Sequence, residues 1–562
     1  MILAMGTVLV LWAITVAACQ GWAFLLLRLT GRELASLAGG FQLFWIGFAV
    51  QLGLLQIWHL FWPVDWLATA VLLGGGLAIW GTLGLKRTWS SASLGPSGFM
   101  ALALLGLWLA NRGLDIANNY DSGLYHFATI RWINEYPVVP GLANLVESLG
   151  FNQSFFLFVA LLNIHPYFDQ GYHAANSLLV FVLSAQLLRA AWSMMRAPSR
   201  ADMPGVLQSL LLPVVVAEGL GRNISSPSPD LSVAVCGIVA FVSLVETLAA
   251  PVARTRALSP SSAVLIALGI AACTLKLSFV VFGCAILVVA LWPGGKAKPL
   301  AAWIAVAICT TALGVPYAIH GYFLSGYPAF PMAFSPWPAD WRLPAADARD
   351  TANWIYSWAR QPGQHWRDVL GTWSWLGPWW ARTSVMPQVF IPLTLAGAGT
   401  VLFAVSIALR PAKLPELTWW WRPHIPLLAG LLAWFFTAPD PRFADWIMFL
   451  TAAWSLACAL WPNRRVLDFS ITRALAMATV AAALGVVAIG PSMWPGTRDH
   501  GFAGIPQPRT KEFVTDSGLK ILIPADDSDR RLWGAPLPSA QVPKPQVELR
   551  GTSLREGFRT RP

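Results

Sequence analysis

The residues best suited to chemistry are a few charges set in an otherwise apolar chain. Asp121 lies in the polar stretch LDIANNYDSGLYHFATIRWINEYPVVPGLANLVESLG, from Leu114 to Gly150, which also carries Asp115, His126, Arg131 and Glu135. Asn118, Asn119 and Tyr120 crowd hydrogen-bonding groups against it. A carboxylate so placed suits a general base, provided it reaches the proton it removes. It also suits a helix N-cap, because LYHFATIRWINEY has apolar residues near helical spacing. Asp230, closing RNISSPSPD just before an apolar run, has the same two readings. Lys276 separates two apolar runs, where a cation either snorkels to an interface or serves a function. Arg442, in PDPRFADW, is expected either to pair with its neighbour Asp440 or to present a planar fork of donors. A point cation and a fork are together what a phosphate needs, with Arg222 as a candidate third cation.

These charges must be positioned by membrane helices. Hydrophobic residues make up 56% of the chain and charged residues 12%, with a mean hydropathy of +0.57. Soluble domains are roughly a quarter charged, so the composition places the chain among helical multi-spanning membrane proteins. The net charge of +11 is scattered in twos and threes between apolar runs, which argues against a nucleic-acid partner. All six cysteines lie inside apolar segments without metal-type spacing and read as small hydrophobes. The Val16-Ala17-Ala18-Cys19 box lacks a preceding basic residue, so the first segment is expected to be a retained span. The Asn223-Ile224-Ser225 glycosylation pattern is a weak signal.

An apolar helix of about 20 residues crosses a bilayer, and roughly fourteen candidates can be placed. They begin near Ile2, Gly40, Trp66, Pro96, Ala174, Pro204, Leu231, Ser261, Ser278, Pro299, Met386, His424, Ala444 and Ile471. The run broken at Leu275-Lys276-Leu277 reads as a short hairpin or as one buried helix, and the charge order favours the hairpin. Arg28 and Arg32, Lys86 and Arg87, Arg189, Arg196 and Arg200, Arg254 and Arg256, Lys296 and Lys298, Arg410, Lys413 and Arg422, and Arg464 and Arg465 fall in alternate connections. Basic short loops mark the cytoplasmic side. The termini, the Asp121 loop (114–172), the Asp230 loop, Lys276, a second loop (319–385) and the Arg442 turn are then extracytoplasmic. Every polar oddity shares that face, which points to one site built from many loops.

The second loop carries Tyr327 in SGYPAFP and a Trp-rich stretch with Trp354, Trp358, Trp373, Trp375, Trp379 and Trp380. Such residues form either an interfacial aromatic belt or a wall facing a sugar or lipid. The expected division is a transmembrane domain over 1–490 and a small extracytoplasmic tail over 491–562, with one strand-like piece at Lys520–Pro524.

The early acidic loop, the small helix hairpins and the late Pro-Arg-aromatic turn resemble the glycosyltransferase C superfamily. More closely, NNYDSGLYHFATIRWINEYPVVPGLANL, SSPSPD, TLKLS, SGYPAFP, TAPDPRFA, WGAPLP and LRGTSLREGFR resemble a group of uncharacterised bacterial membrane proteins placed near it. That likeness runs through nearly the whole chain; the superfamily likeness is looser. The superfamily resemblance implies an all-α polytopic fold in the bacterial inner membrane and a polyprenyl-phosphate sugar donor. It further implies a glycan, lipid or protein acceptor and an extracytoplasmic site for envelope polysaccharide synthesis. Asp121 then matches the catalytic acid, as base in an inverting transfer. Tyr120, His126, Arg222, Asp230, Lys276, Tyr327 and Arg442 are the candidate substrate-binding residues, with Lys276 and Arg442 on the phosphate.

There are departures from the superfamily pattern. The loop follows the fourth expected span instead of the first, and the partner of Asp121 must be Asp115 or Asp230. Leu532 and Ser539 stand where the closer group implies cysteines, and Glu147 replaces a basic stretch. No cofactor follows, although some relatives use a divalent metal. The alternative readings are a lipid-linked sugar transporter or flippase, a surface-polysaccharide polymerase or ligase, and a scaffold of an envelope complex.

Overall fold

A computed structural model describes residues 1–30, 38–84, 94–250, 258–292, 300–409, 419–460, 469–489, 501–526 and 528–561. Arg32, Lys86, Arg87, Arg254, Arg256, Lys296, Lys298, Arg410, Lys413, Arg464 and Arg465, which carry much of the expected orientation, lie outside the described residues, as does the beginning of the tail.

The protein is an all-α multi-pass membrane protein. Among the described residues, nine helices are long and apolar enough to cross a membrane. They are Ile2–Leu29, Gly40–His59, Trp66–Leu83, Tyr172–Arg196, Met203–Leu220, Pro229–Ala249, Leu300–Ser325, Pro387–Ala408 and Ser470–Ile489. Four shorter apolar helices form two neighbouring hairpins, Pro260–Leu275 with Leu277–Leu291 and His424–Thr437 with Asp445–Leu460. Lys276 is extended (φ −158°, ψ 131°), which breaks the long apolar run into the first of these hairpins. Its arms meet closely enough that a Cβ on Gly283 would lie 2.8 Å from the Gly269 carbonyl oxygen.

Small residues let the spans approach one another. The first helix presents Ala18 and Cys19 to Gly76 and Gly47, where an added Cβ would run into the facing carbonyl. In lipid, close packing of this kind replaces the hydrophobic drive that water supplies. One large apolar cluster then runs through most of the helices, with Trp45, Trp454, Phe48, Phe158 and Phe241 fully buried.

The polar stretch after Leu114 is a folded layer of short elements. A π-helical turn, Ser122–His126, leads into the helix Phe127–Glu135. The helix Phe155–Asn163 beneath it is buried at all nine residues. Asn134 donates to the Ala160 carbonyl at 3.0 Å and accepts from Asn163 at 2.9 Å, which locks these helices together.

The tail contains two antiparallel two-stranded sheets, Thr510–Val514 with Lys520–Pro524 and Val547–Leu549 with Phe558–Thr560. It packs directly against the polar layer. Ile521, Ile523, Ala540, Val547 and Phe558 share a core with Trp132, Val139, Leu142, Leu145 and Leu149 of the polar layer. Arg131 donates to the Gly534 and Ala535 carbonyls at 2.9 and 3.0 Å, and Lys544 pairs with Glu147. The apolar faces of the small sheets have nowhere else to be buried. Leu532 and Ser539, at the positions where cysteines were expected, are both buried.

If the polar layer and tail share one side of the membrane, cysteines introduced at the exposed positions Arg222, Thr372 and Ser517 will react with an impermeant maleimide in intact cells. A cysteine at Ser193, near the other end of its helix, will not. Opposite behaviour of Arg222→Cys and Ser517→Cys would contradict this arrangement.

Candidate functional site

The four charges singled out from sequence meet at one end of the helices, in a crosswise arrangement. Asp121 accepts from the Arg442 guanidinium at 3.0 Å, and Asp230 pairs with Lys276. The ring of Phe443 lies between the cations, 4.0 Å from Lys276 Nζ and 4.6 Å from the Arg442 guanidinium carbon. A ring face is negative and attracts cations, so one phenyl group helps hold two positive charges that would otherwise repel. Exposure is graded: side-chain values are 45% for Arg442, 24% for Asp121, 18% for Lys276 and 12% for Asp230. The site therefore opens on the Asp121–Arg442 side.

Neither acid caps a helix. Asp121 precedes the π-helical turn with helical dihedrals and makes no capping bond, while Ser228 is the cap in front of Asp230. Asp440 caps the backbone N–H of Arg442 at 3.1 Å, which leaves the guanidinium free to reach Asp121. Asp115 lies beside Arg112 (3.5 Å), so the second acid of the site is Asp230.

Each charge is held by its own local device. The Asn119 side chain accepts from the Asp121 N–H at 2.9 Å and donates to the Asn223 side chain at 2.7 Å, tying the Asp121 loop to the Asp230 loop. Asn176, buried in the helix Tyr172–Arg196, donates to the carbonyls of Asn223, Ser226 and Ser228 at 3.0, 2.8 and 2.9 Å. Asn223 is thus a bracing residue, and Ile224 and Ser225 of the acceptor pattern are buried. The Arg442 turn is braced by Trp379, which donates to the Pro439 carbonyl at 2.6 Å, and by Trp434, which donates to the Asp440 carbonyl at 2.7 Å. The Trp-rich stretch accordingly divides, with Trp375 and Trp379 buried and Trp354, Trp358, Trp373 and Trp380 exposed.

Electrostatics follow this packing. Burial opposes charge on Arg442, but Asp121, Asp230 and Asp440 more than offset it and hold the guanidinium above its ordinary value. Burial, then Asp121 and Asp230, push the Tyr125 phenol well above its ordinary range, so it stays a neutral donor. Burial lowers His126 to about 4, against the opposing pull of Asp121 and Asp230.

Four expected binding residues lie elsewhere or do something else. His126 is buried under Asp121, with its Nδ1 2.9 Å from the Ser122 hydroxyl, so it shapes the turn. Tyr327 is buried with Phe330 and Leu343, and its hydroxyl donates to the Leu343 carbonyl at 3.0 Å. Arg222 is exposed and makes no ion pair with the cluster among the described residues. Tyr120 is exposed beneath the Arg531 guanidinium of the tail, 5.5 Å away. Sequence reasoning missed Tyr125 and Asn176; Asn119 was signalled as a hydrogen-bonding group beside Asp121, and Phe443 only as the aromatic of the Pro-Arg-aromatic turn. No three His, Cys, Asp or Glu side chains cluster as metal ligands among the described residues.

A family model described as "Domain of unknown function (DUF8201)" matches residues 5–449. The chain belongs to this family. The matched span includes Asp121, Asp230, Lys276, Arg442 and Phe443, and ends before the last helix and the tail. No curated protein and no solved structure matches the chain.

The depressed value of His126 links stability to pH. The unfolded chain takes up this proton near 6.5 and the folded one only near 4, so stability is fully present above 6.5 and is lost as the pH falls through that window. Melting curves of the detergent-purified protein should drop less between pH 7 and pH 5 in His126→Gln than in the parent. Equal drops would mean that His126 is not buried as a neutral ring.

Proposed function

We propose that the protein is an integral membrane glycosyltransferase of glycosyltransferase C type, with the full set of roughly fourteen spans and an extracytoplasmic site. It moves a sugar from a polyprenyl-phosphate donor to a glycan, lipid or protein acceptor of the bacterial envelope. The observation that carries this reading is the juxtaposition of two carboxylates with a fork and a point cation around Phe443, at an open end of the helices.

In the resting protein the carboxylates are the counter-ions of the cations. A donor phosphate takes over that role: Arg442 turns its paired donors to the phosphate oxygens, and Lys276 adds a point charge. Asp121 is thereby released to accept a proton. The acceptor hydroxyl oxygen attacks the anomeric carbon as its proton passes to Asp121. The bond from that carbon to the phosphate oxygen breaks, and polyprenyl phosphate leaves with the electron pair. Charge growing on the leaving oxygen is stabilised by cations already in place, which is where such sites gain most. Attack opposite the leaving group inverts the anomeric centre. Asp230 stays with Lys276 and keeps it aimed. Tyr125, held neutral, offers a donor behind the acids.

The test is transfer of labelled sugar from polyprenyl-phosphate donors by protein in liposomes, with candidate donors and acceptors found by mass spectrometry of envelopes from cells with and without the protein. Asp121→Asn keeps the side-chain shape and should lower transfer by about 10²–10⁴-fold, the usual worth of a general base. Lipid-donor binding should persist. Arg442→Lys should weaken donor binding, because a point charge does not replace a fork. Transfer within a few-fold of the parent for Asp121→Asn would remove Asp121 as base, and unchanged envelope glycans and lipid-linked sugars would remove the reaction itself.

A further inference from the structure

The segment just before the span Pro387–Ala408 carries a surface that the proposed reaction does not use. Trp354, Trp358, Trp373 and Trp380 are between 44% and 61% exposed, although tryptophan is highly buried on average. Their placement follows the helices. Around Leu376–Thr383, the residues Trp375, Trp379 and Thr383 are buried at spacings of four, while Trp373, Leu376 and Trp380 are exposed on the other face. In Ala345–Arg360, Ala348, Ala352 and Ala359 are buried, and Trp354 and Trp358, four residues apart, are exposed together. Two-sided helices with large rings outward are built to meet a bilayer interface or another protein.

Three observations choose the bilayer. The first is continuity with a surface that already faces lipid. Only three residues separate Thr383 from Pro387, and the N–H groups of Met386 and Phe390 bond the carbonyls of Thr383 and Met386 at 3.0 and 2.8 Å, so the short helix is joined directly to the head of the span. The exposed residues run on from Trp380 through Val385 to Phe390 and Leu393 of that span. The second is depth. Trp375 and Trp379 pack on Phe435 at 5.8 and 5.6 Å, and Trp373 meets Phe436 edge-on at 6.4 Å, which seats the segment on the tip of His424–Thr437. That helix has 14 residues, about 21 Å of length, against a hydrocarbon core of about 30 Å. With the Trp419–Arg422 turn at the opposite interface, whatever rests on the tip is level with lipid. The third is the treatment of charge. Arg360 donates to the Phe436 carbonyl at 2.8 Å and lies 5.2 Å from the Trp375 ring, and Arg382 donates to the Ala359 carbonyl at 3.0 Å. Cations near lipid are held by backbone carbonyls in this way.

We propose that Ala345–Arg360 and Leu376–Thr383 are in-plane helices seated in one leaflet of the protein's own bilayer, with the four exposed tryptophans at the boundary between headgroups and acyl chains. Indole suits that depth, because its ring is apolar and its one N–H finds polar partners among the headgroups. Trp379 of the same segment holds the Pro439 carbonyl, so the lipid surface becomes a support for the turn that carries Arg442. The seat follows from exposure, helix length and continuity with the span, and it does not depend on which reaction the protein catalyses.

Photolabelling of the unaltered full-length protein in phosphatidylcholine vesicles tests the proposal. The probe is a phosphatidylcholine with an aryl diazirine on its acyl chain close to the glycerol, and labelled residues are read by mass spectrometry. Trp354, Trp358, Trp373 and Trp380 should be labelled within a few-fold of Phe390, which lies on the span. They should exceed several-fold the tail residues Val514 and Val542, which are 54% and 52% exposed. Trp375 and Trp379, buried in the same segment, should stay near the tail level. Labelling of the four tryptophans at the tail level overturns the proposal, whether water, a second copy of the chain or another protein then lies on that face. Labelling of Trp375 and Trp379 as strong as that of the four also overturns it, because the two-sided packing would then be absent.

Discussion

Lys276 carries a positive charge into the gap between two apolar helices, and a cation there must be given an anion or a ring face. The fold gives it both, in Asp230 and Phe443. Meeting that need fixes much else. Asp230 must stand at the head of its helix, which requires the Asn223–Ser228 loop to be held by Asn176. Phe443 must face the hairpin, which requires the Arg442 turn to be held by Trp379 and Trp434. Once Phe443 is placed, Arg442 lies on the same ring and looks outward to Asp121. A buried pair of this kind is weak evidence for stability, since desolvation offsets attraction, whereas removing one partner strands a charge. The cluster therefore specifies an arrangement more than it strengthens the fold.

The tail shows how the arrangement is kept rigid on its open side. Arg131 binds tail carbonyls, and the N–H groups of Leu532 and Trp533 both bond the Gly123 carbonyl, two residues from Asp121. Trp533 sits so near Gly123 that a Cβ there would come within 2.7 Å of the indole. Glycine is needed at that point because the tail presses on the turn directly. The Asp121 loop is thus clamped between a buried helix below and the tail above.

Which charges gather was legible from the chain, because ionisable groups between apolar runs are expensive and few. How they pair was not. Proximity in sequence gives Arg442 to Asp440, but a carboxylate two residues back is better used by the backbone N–H, and the guanidinium reaches across to another loop. Burial is equally invisible in a list of polar residues. His126 and Tyr327 look like ligands until the packing around each is known, and each then has a neighbour of its own. The broken apolar run at Lys276 and the strand at Lys520–Pro524 were legible because a charge and a short run rich in β-branched residues are local signals. The docking of the tail was not, since it depends on apolar faces more than 350 residues apart in sequence, such as Leu142 and Phe558.

The graded exposure of the four charges separates two kinds of work. Asp230 and Lys276 lie deeper, where the lower dielectric strengthens their attraction and makes exchange of partners expensive. Asp121 and Arg442 lie further out, where an ion pair is worth only about 0–1 kcal/mol and an arriving anion can displace the carboxylate at little cost. The inner pair is suited to holding shape and the outer pair to changing partners. Phe443 couples them, because its ring lies against both cations, and an anion that drew Arg442 away, as the proposed donor phosphate would, would leave the face to Lys276 alone. A cation–π contact is worth about 0.5–2 kcal/mol, comparable to the outer ion pair. Movement of Arg442 at the mouth of the site would thereby be felt at its base through one aromatic ring.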